Sequence, residues 1–115
     1  MPKLTTLQLE LTGASGKKYR FHVYPFGEEC PNESGIYAFT RAFKKPDGLN
    51  YHEVIYIGMA QSFQKRFYAH HKEKEILSTG ANCICLMQVP VESERIAIEK
   101  DLLAKYNCKC NEVNN

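Results

Sequence analysis

Five side chains in this 115-residue chain have the types needed to handle a phosphate ester: the phenols of Tyr37 and Tyr56, the pair Arg66 and His70, and the carboxylate of Glu99. A carboxylate is a hard ligand for a divalent cation, a guanidinium grips two phosphate oxygens at once, and phenol or imidazole groups orient and transfer protons. Each residue also has an ordinary use. Tyrosines on neighbouring strands pack across a hairpin, an arginine lies along the surface with its head in water, and an isolated histidine is more often structural. Glu99 stands one turn from Arg95, an available ion-pair partner.

Side chains alternate between faces along a strand, so Gly35, Tyr37 and Phe39 share one face and Ile36 and Ala38 the other. The same rule groups Val54, Tyr56 and Gly58 against Ile55 and Ile57. With the isoleucines turned to the core, both tyrosines project together. On the following helix, Arg66 and His70 are four residues apart and stack on one side, near Phe63, Phe67 and Leu77. On the last helix, Ile96, Leu102, Leu103 and Tyr106 define an apolar arc from which Glu99 projects, a costly place for a carboxylate that has no partner.

The elements that must position these residues follow from local patterns. Leu7, Leu9 and Leu11, then Tyr19, Phe21 and Val23 across Gly13-Ala14-Ser15-Gly16, predict an N-terminal hairpin. Pro25 to Ser34 reads as a loop. GIYAFTRA from Gly35 and HEVIYIG up to Gly58 predict a second hairpin, with a long basic tip carrying Lys44, Lys45 and Pro46-Asp47-Gly48. SFQKRFYAHHKEKEIL predicts a helix from Ser62, a good N-cap, to about Leu77, with Gly80 after it. A strand over Cys83 to Val89 is stopped by Pro90, and a helix follows from Glu92 to Tyr106. The expected fold is α+β, a small and largely antiparallel sheet flanked by helices. One domain spans 1–115, with an added hairpin over 1–30 and a core over 34–112.

Composition excludes several classes. Apolar and charged fractions of 43% and 24% are those of a globular protein, and a net charge of +2 permits phosphate contact without requiring it. No apolar run reaches membrane-spanning length and MPKLTTLQLE lacks a secretory core, so the expected compartment is the cytoplasm. Five cysteines, an odd number, fit free thiols in a reducing compartment. Cys83/Cys85 and Cys108/Cys110 form two C-x-C pairs, but zinc knuckles use wider spacing, and CICLMQV reads as a buried strand.

Three blocks resemble the GIY-YIG nuclease family. They are Gly35-Ile36-Tyr37, Tyr56-Ile57-Gly58, and Glu99-x-x-Leu102-Leu103-x-x-Tyr106 followed by Asn111. Between the second and third, Phe63 takes the family's usual leucine position, Arg66 falls at its arginine, and His70 follows as in the homing members. The resemblance covers roughly 34 to 112 and rests on order and spacing together. Departures are a longer segment between the tripeptides, Ala60 and Ser62 at places usually polar, and Cys108 and Cys110 before the asparagine.

This resemblance implies an endonuclease that hydrolyses DNA phosphodiester bonds with one metal ion, Glu99 being the ligand of Mg²⁺ or Mn²⁺ and Arg66 the phosphate clamp. It implies Tyr37 as general base, Tyr56 as an orienting donor, His70 as relay or positioner, and Asn111 as a brace. A phenol needs nearby positive charge to act as a base at neutral pH. Lys44, Lys45, Lys65 and Lys72 are candidates for contacts to the DNA backbone, although each is also an ordinary solvated charge. With no attached reader module in the sequence, a targeting partner protein is one expectation. The alternative to an enzyme is a module of the same fold that binds DNA or protein with little activity.

Overall fold

The computed structural model describes residues 8–25, 30–48, 50–68, 78 and 80–106. Its strands are β1 (Gln8–Thr12), β2 (Lys18–Pro25), β3 (Gly35–Lys44), β4 (Asn50–Ala60) and β5 (Cys83–Gln88). Two helices are described, α1 (Phe63–Tyr68) and α2 (Glu92–Lys105). The strands form one sheet in the order β1-β2-β5-β3-β4, every described pairing being antiparallel, so the molecule is a small α+β domain. No helix among the described residues is long and apolar enough to cross a membrane.

The strand that carries Gly35-Ile36-Tyr37 is interior, flanked by β5 and β4, and β4, with Tyr56-Ile57-Gly58, is an edge. Strands β1 and β2 pair from Gln8↔His22 to Thr12↔Lys18. They are not an appendage to the core: β2 pairs with β5 from His22↔Leu86 to Pro25↔Cys83, so all five strands share one sheet. The loop between them docks on α2 through Asp101. Its carboxylate accepts from the Ser15 amide at 2.9 Å, the Ser15 hydroxyl at 2.7 Å and the Tyr19 hydroxyl at 2.7 Å.

Each face of the sheet carries a buried cluster. On the first, Tyr24, Tyr37, Phe39, Ile55, Tyr56, Ile84 and Leu86 pack with Ala60 and with Phe63 of α1. On the second, Phe21, Val23, Ile36, Ala38, Ile57 and Cys85 pack beneath Leu102, with Ile98, Leu103 and Tyr106 of α2 beside it. The alternation predicted for β3 holds, but the grouping predicted for β4 is corrected. A register shift between Phe39↔Tyr56 and Thr40↔Val54 leaves Ile55 as an extra residue. This bulge puts Ile55 and Tyr56 on the same face and sends Val54 to the other.

Helix boundaries follow their local chemistry. The Ser62 hydroxyl accepts from the Lys65 amide at 3.3 Å, the capping bond its position predicts, and donates to Asn32 at 2.6 Å. The predicted extension of this helix to Leu77 lies outside the described residues, apart from its first six positions. On α2 the predicted apolar arc is corrected at one end: Ile96 is 47% exposed and Arg95 is buried in its stead. Arg95, weighed from sequence as one possible ion-pair partner of Glu99, instead sends two bonds from Nη1 to the Val89 and Pro90 carbonyls, each 2.9 Å.

Candidate functional site

The two phenols meet. Tyr37 on β3 and Tyr56 on β4 stack with ring centroids 5.9 Å apart and planes 14° off parallel, and Phe39 lies 5.4 Å from the first and 5.8 Å from the second. Tyr37 is 0% and Tyr56 7% exposed. Glycine at 58 is what admits the Tyr37 ring: a Cβ there would stand 2.6 Å from both Cζ and Oη of the phenol. Glycine at 35 has a different cause, since a Cβ would press into the Met87 carbonyl of β5 and stand 2.9 Å from Phe63 Cζ. The motif glycines are thus steric requirements of strand and ring packing; neither has a positive φ.

Arg66 belongs to α1, which leaves β4 after a two-residue turn and packs Phe63 into the phenol face. Glu99 is half-buried on α2, the helix that covers the opposite face. The sheet therefore separates the phenols from the carboxylate over most of its width. The two faces meet at the end of β4, an edge strand, beside a cleft whose described lining includes neither phenol nor Glu99. There Met59 packs with the second face while Ala60 packs with the first, and both line this open cleft of about 430 Å³. One wall continues through Gln61, Ser62 and Lys65 of the α1 side, and the other is Glu92 and Arg95 of α2. Glu99 lies one turn beyond Arg95 on the same side of that helix.

Of the remaining predicted site residues, His70, Lys72 and Asn111 lie outside the described residues. Lys44, Lys45 and Lys65 are exposed, Lys65 on the cleft and the other two at the far end of the β3–β4 hairpin. At that tip Lys45 Nζ sits 4.3 Å above the Tyr51 ring, Arg41 lies 4.7 Å over Phe43, and Phe43 and Tyr51 stack at 6.1 Å. These cation–π contacts hold the basic groups upright on an aromatic base. Arg95 and Glu92 were not read from the sequence as site residues. The signal available for Arg95 was its position on the side of α2 that carries Glu99, Leu102 and Tyr106, where from sequence it reads only as a possible partner for Glu99.

The cysteines serve packing. Cys85 is fully buried in the second core, its Sγ 3.7 Å from the Thr40 hydroxyl; burial pushes its thiol up to about 12, so it is neutral at physiological pH. Burial raises Cys83 as well. Cys108 and Cys110 lie outside the described residues. Among the described residues no group of three His, Cys, Asp or Glu side chains stands close enough to cage a metal. Comparison with known family models, with curated proteins and with solved structures finds no match to the chain.

Proposed function

We propose that the protein is a metal-dependent DNA endonuclease of the GIY-YIG type, acting at the cleft beside the end of β4. What supports this reading is that α1, which carries Arg66 in sequence next to the cleft residue Lys65, and α2, which carries Glu99 one turn from the cleft residue Arg95, both border the cleft where Ala60 of the phenol face also lines it. A half-buried carboxylate such as Glu99 is a hard oxygen ligand suited to Mg²⁺ or Mn²⁺, which takes few protein ligands and fills its other positions with water and phosphate oxygens. Bound at Glu99, such an ion supplies Lewis-acid stabilisation of a phosphate oxygen and of the departing 3′-oxygen.

The chain's own groups have these roles in the proposal. Arg66 grips the nonbridging oxygens and offsets charge that builds in the transition state. Tyr37 takes a proton from the attacking water, Tyr56 orients that water or the phosphate, His70 relays or positions the proton, and Asn111 braces the site. Close stacking and the fit of Tyr37 against Gly58 hold the first phenol in one pose. Lys44 and Lys45, projecting from the hairpin tip, engage the DNA backbone at a distance from the cleft.

The full burial of Tyr37 favours a second reading, a DNA- or protein-binding module in which both tyrosines are core residues. A supercoiled-plasmid nicking assay with Mg²⁺ separates the two. The enzyme reading expects nicking that is lost in Arg66→Ala and Glu99→Ala, and turnover crippled with affinity spared in Tyr37→Phe. Binding without cutting under Mg²⁺ and Mn²⁺ establishes the module instead.

A further inference from the structure

Arg95 is an unusual residue in this fold. It is 6% exposed, yet its side chain meets no carboxylate among the described residues, and Nη1 alone is tied down, by the Val89 and Pro90 carbonyls. Two carbonyl dipoles orient a guanidinium but leave its full positive charge uncompensated. Every described side-chain N or O that is sealed from solvent has a partner, and the residue that lines the cleft beside Glu92 on α2 is Arg95. Across the gap stands Lys65, exposed and held at the first turn of α1 by the Ser62 cap. The Ser62 hydroxyl is already committed to Asn32 and the Lys65 amide, which leaves the two cations as the cleft's strong donors. Glu92, on the rim, opposes them.

We propose that Arg95 and Lys65 form an anchor for a phosphate-ester oxyanion in this cleft, with Glu92 limiting its affinity. A preoriented guanidinium on one wall and a mobile ammonium on the other suit a tetrahedral oxyanion, whose oxygens accept from both sides. The volume of about 430 Å³ admits a phosphate together with the sugar attached to it. The same chemistry is offered by free phosphate, by a nucleotide and by a nucleic-acid backbone. The last of these rests on the nuclease reading; the anchor itself does not.

The test is an amide-resolved NMR titration of the full chain, in EDTA so that no hydrolysis occurs, with inorganic phosphate, a 5′-mononucleotide and a short DNA duplex as separate probes. Shifts are expected at Gln61, Ser62, Lys65, Glu92 and Arg95. Lys65→Gln should weaken binding about two- to fivefold and Glu92→Gln should tighten it by a similar factor, the scale of one exposed charge contact. Both positions are exposed, so neither change endangers folding; Arg95→Gln, which also loosens the β5–α2 connection, is read only after its fold is verified. Shifts mapped elsewhere, or equal affinities in Lys65→Gln, Glu92→Gln and the parent chain, overturn the anchor. Saturation by phosphate alone assigns it to small anions, whereas response to the duplex alone assigns it to the nucleic-acid backbone. Binding that persists in a chain that never nicks plasmid keeps the anchor and removes the nuclease. Nicking indifferent to Lys65 and Glu92 does the reverse.

Discussion

Replacing Gly58 with alanine tests the packing that unites the two tripeptides. The new Cβ would stand 2.6 Å from Cζ and Oη of Tyr37, where carbon contacts settle at about 3.5–4.0 Å, so roughly 1 Å must be found. The ring has nowhere to retreat: it is fully buried, with Phe39 at 5.4 Å and Tyr56 at 5.9 Å. Overpacking of this kind costs about 1–3 kcal/mol, partly offset by about 0.4–1 kcal/mol from restricting the unfolded chain at a residue whose φ is not positive. A net loss of about 1–2 kcal/mol lowers the melting temperature of a domain this size by about 3–10 °C. Thermal and urea denaturation of Gly58→Ala, Tyr37→Leu and the double variant measure it. Leucine ends short of Cζ, so Gly58→Ala should cost markedly less in the Tyr37→Leu background. Equal costs in the two backgrounds, or a Gly58→Ala chain as stable as the parent, would refute the argument. Gly35→Ala should be worse and should resist rescue, because its obstacle is the β5 backbone at Met87.

Two further predictions concern pH. Hydrogen bonds from the Ser15 hydroxyl, then the Tyr19 hydroxyl, then the Ser15 amide hold the Asp101 carboxyl below its usual range. The folded value being depressed, this docking is complete above the ordinary aspartate value of about 4 and is lost as pH falls through the lowered one. The protection factor of the Ser15 amide, its exchange relative to that of an unstructured chain at the same pH, should therefore fall in acid, and already at neutral pH in Asp101→Asn; unchanged protection in that variant would show that other contacts hold the loop. His52, whose Nδ1 lies 2.8 Å from Thr40 Oγ1, is pulled below the usual histidine range by burial. A base with a depressed folded value takes its proton first in the unfolded chain, so its contribution is present above about pH 6.5 and fades below it. Thr40→Val should cost about 1 kcal/mol by removing the hydroxyl between His52 and Cys85. Urea midpoints at pH 5.5 and 7.5 check both points; a midpoint independent of pH in His52→Gln but falling in the parent is the expected pattern.

Much of this layout is legible in the chain because alternation and helical spacing are local. Tyr37 and Phe39 share a face as the pattern of β3 requires, Ser62 caps the helix it precedes, and β5 starts at Cys83 as expected, ending at Gln88, one residue short of the expected Val89. What stays hidden depends on partners distant in sequence. Val54 is misassigned because the bulge opposite Phe39 arises from how β4 lies on β3, with no glycine in β4 nearby to announce it. Arg95 and Ile96 exchange their expected places for a similar reason. A charge reads as outward until the carbonyls of Val89 and Pro90, exposed where β5 stops, are there to receive it. The steric need for glycine at 35 and 58 likewise involves Met87 and Tyr37, neither adjacent in the chain.

The bulge in β4 also governs what can act together. With strict alternation back from Tyr56, Val54 and His52 would lie on the phenol face and Ile55 on the other. One extra residue reverses this, sending His52 to Thr40 and Cys85 on the face beneath α2 while Ile55 joins Tyr56. Beyond the bulge the alternation runs unbroken to the strand's end, with Ile57 and Met59 on the α2 side and Gly58 and Ala60 on the phenol side. A sheet that carries a buried cluster on each face keeps groups on opposite sides apart, and an edge strand that ends between two helices is where that separation lapses. The turn into α1 brings Lys65 to that point and the start of α2 brings Glu92 and Arg95. A phosphate seated there would be within approach of α1 from one side of the sheet and α2 from the other, which neither face alone provides.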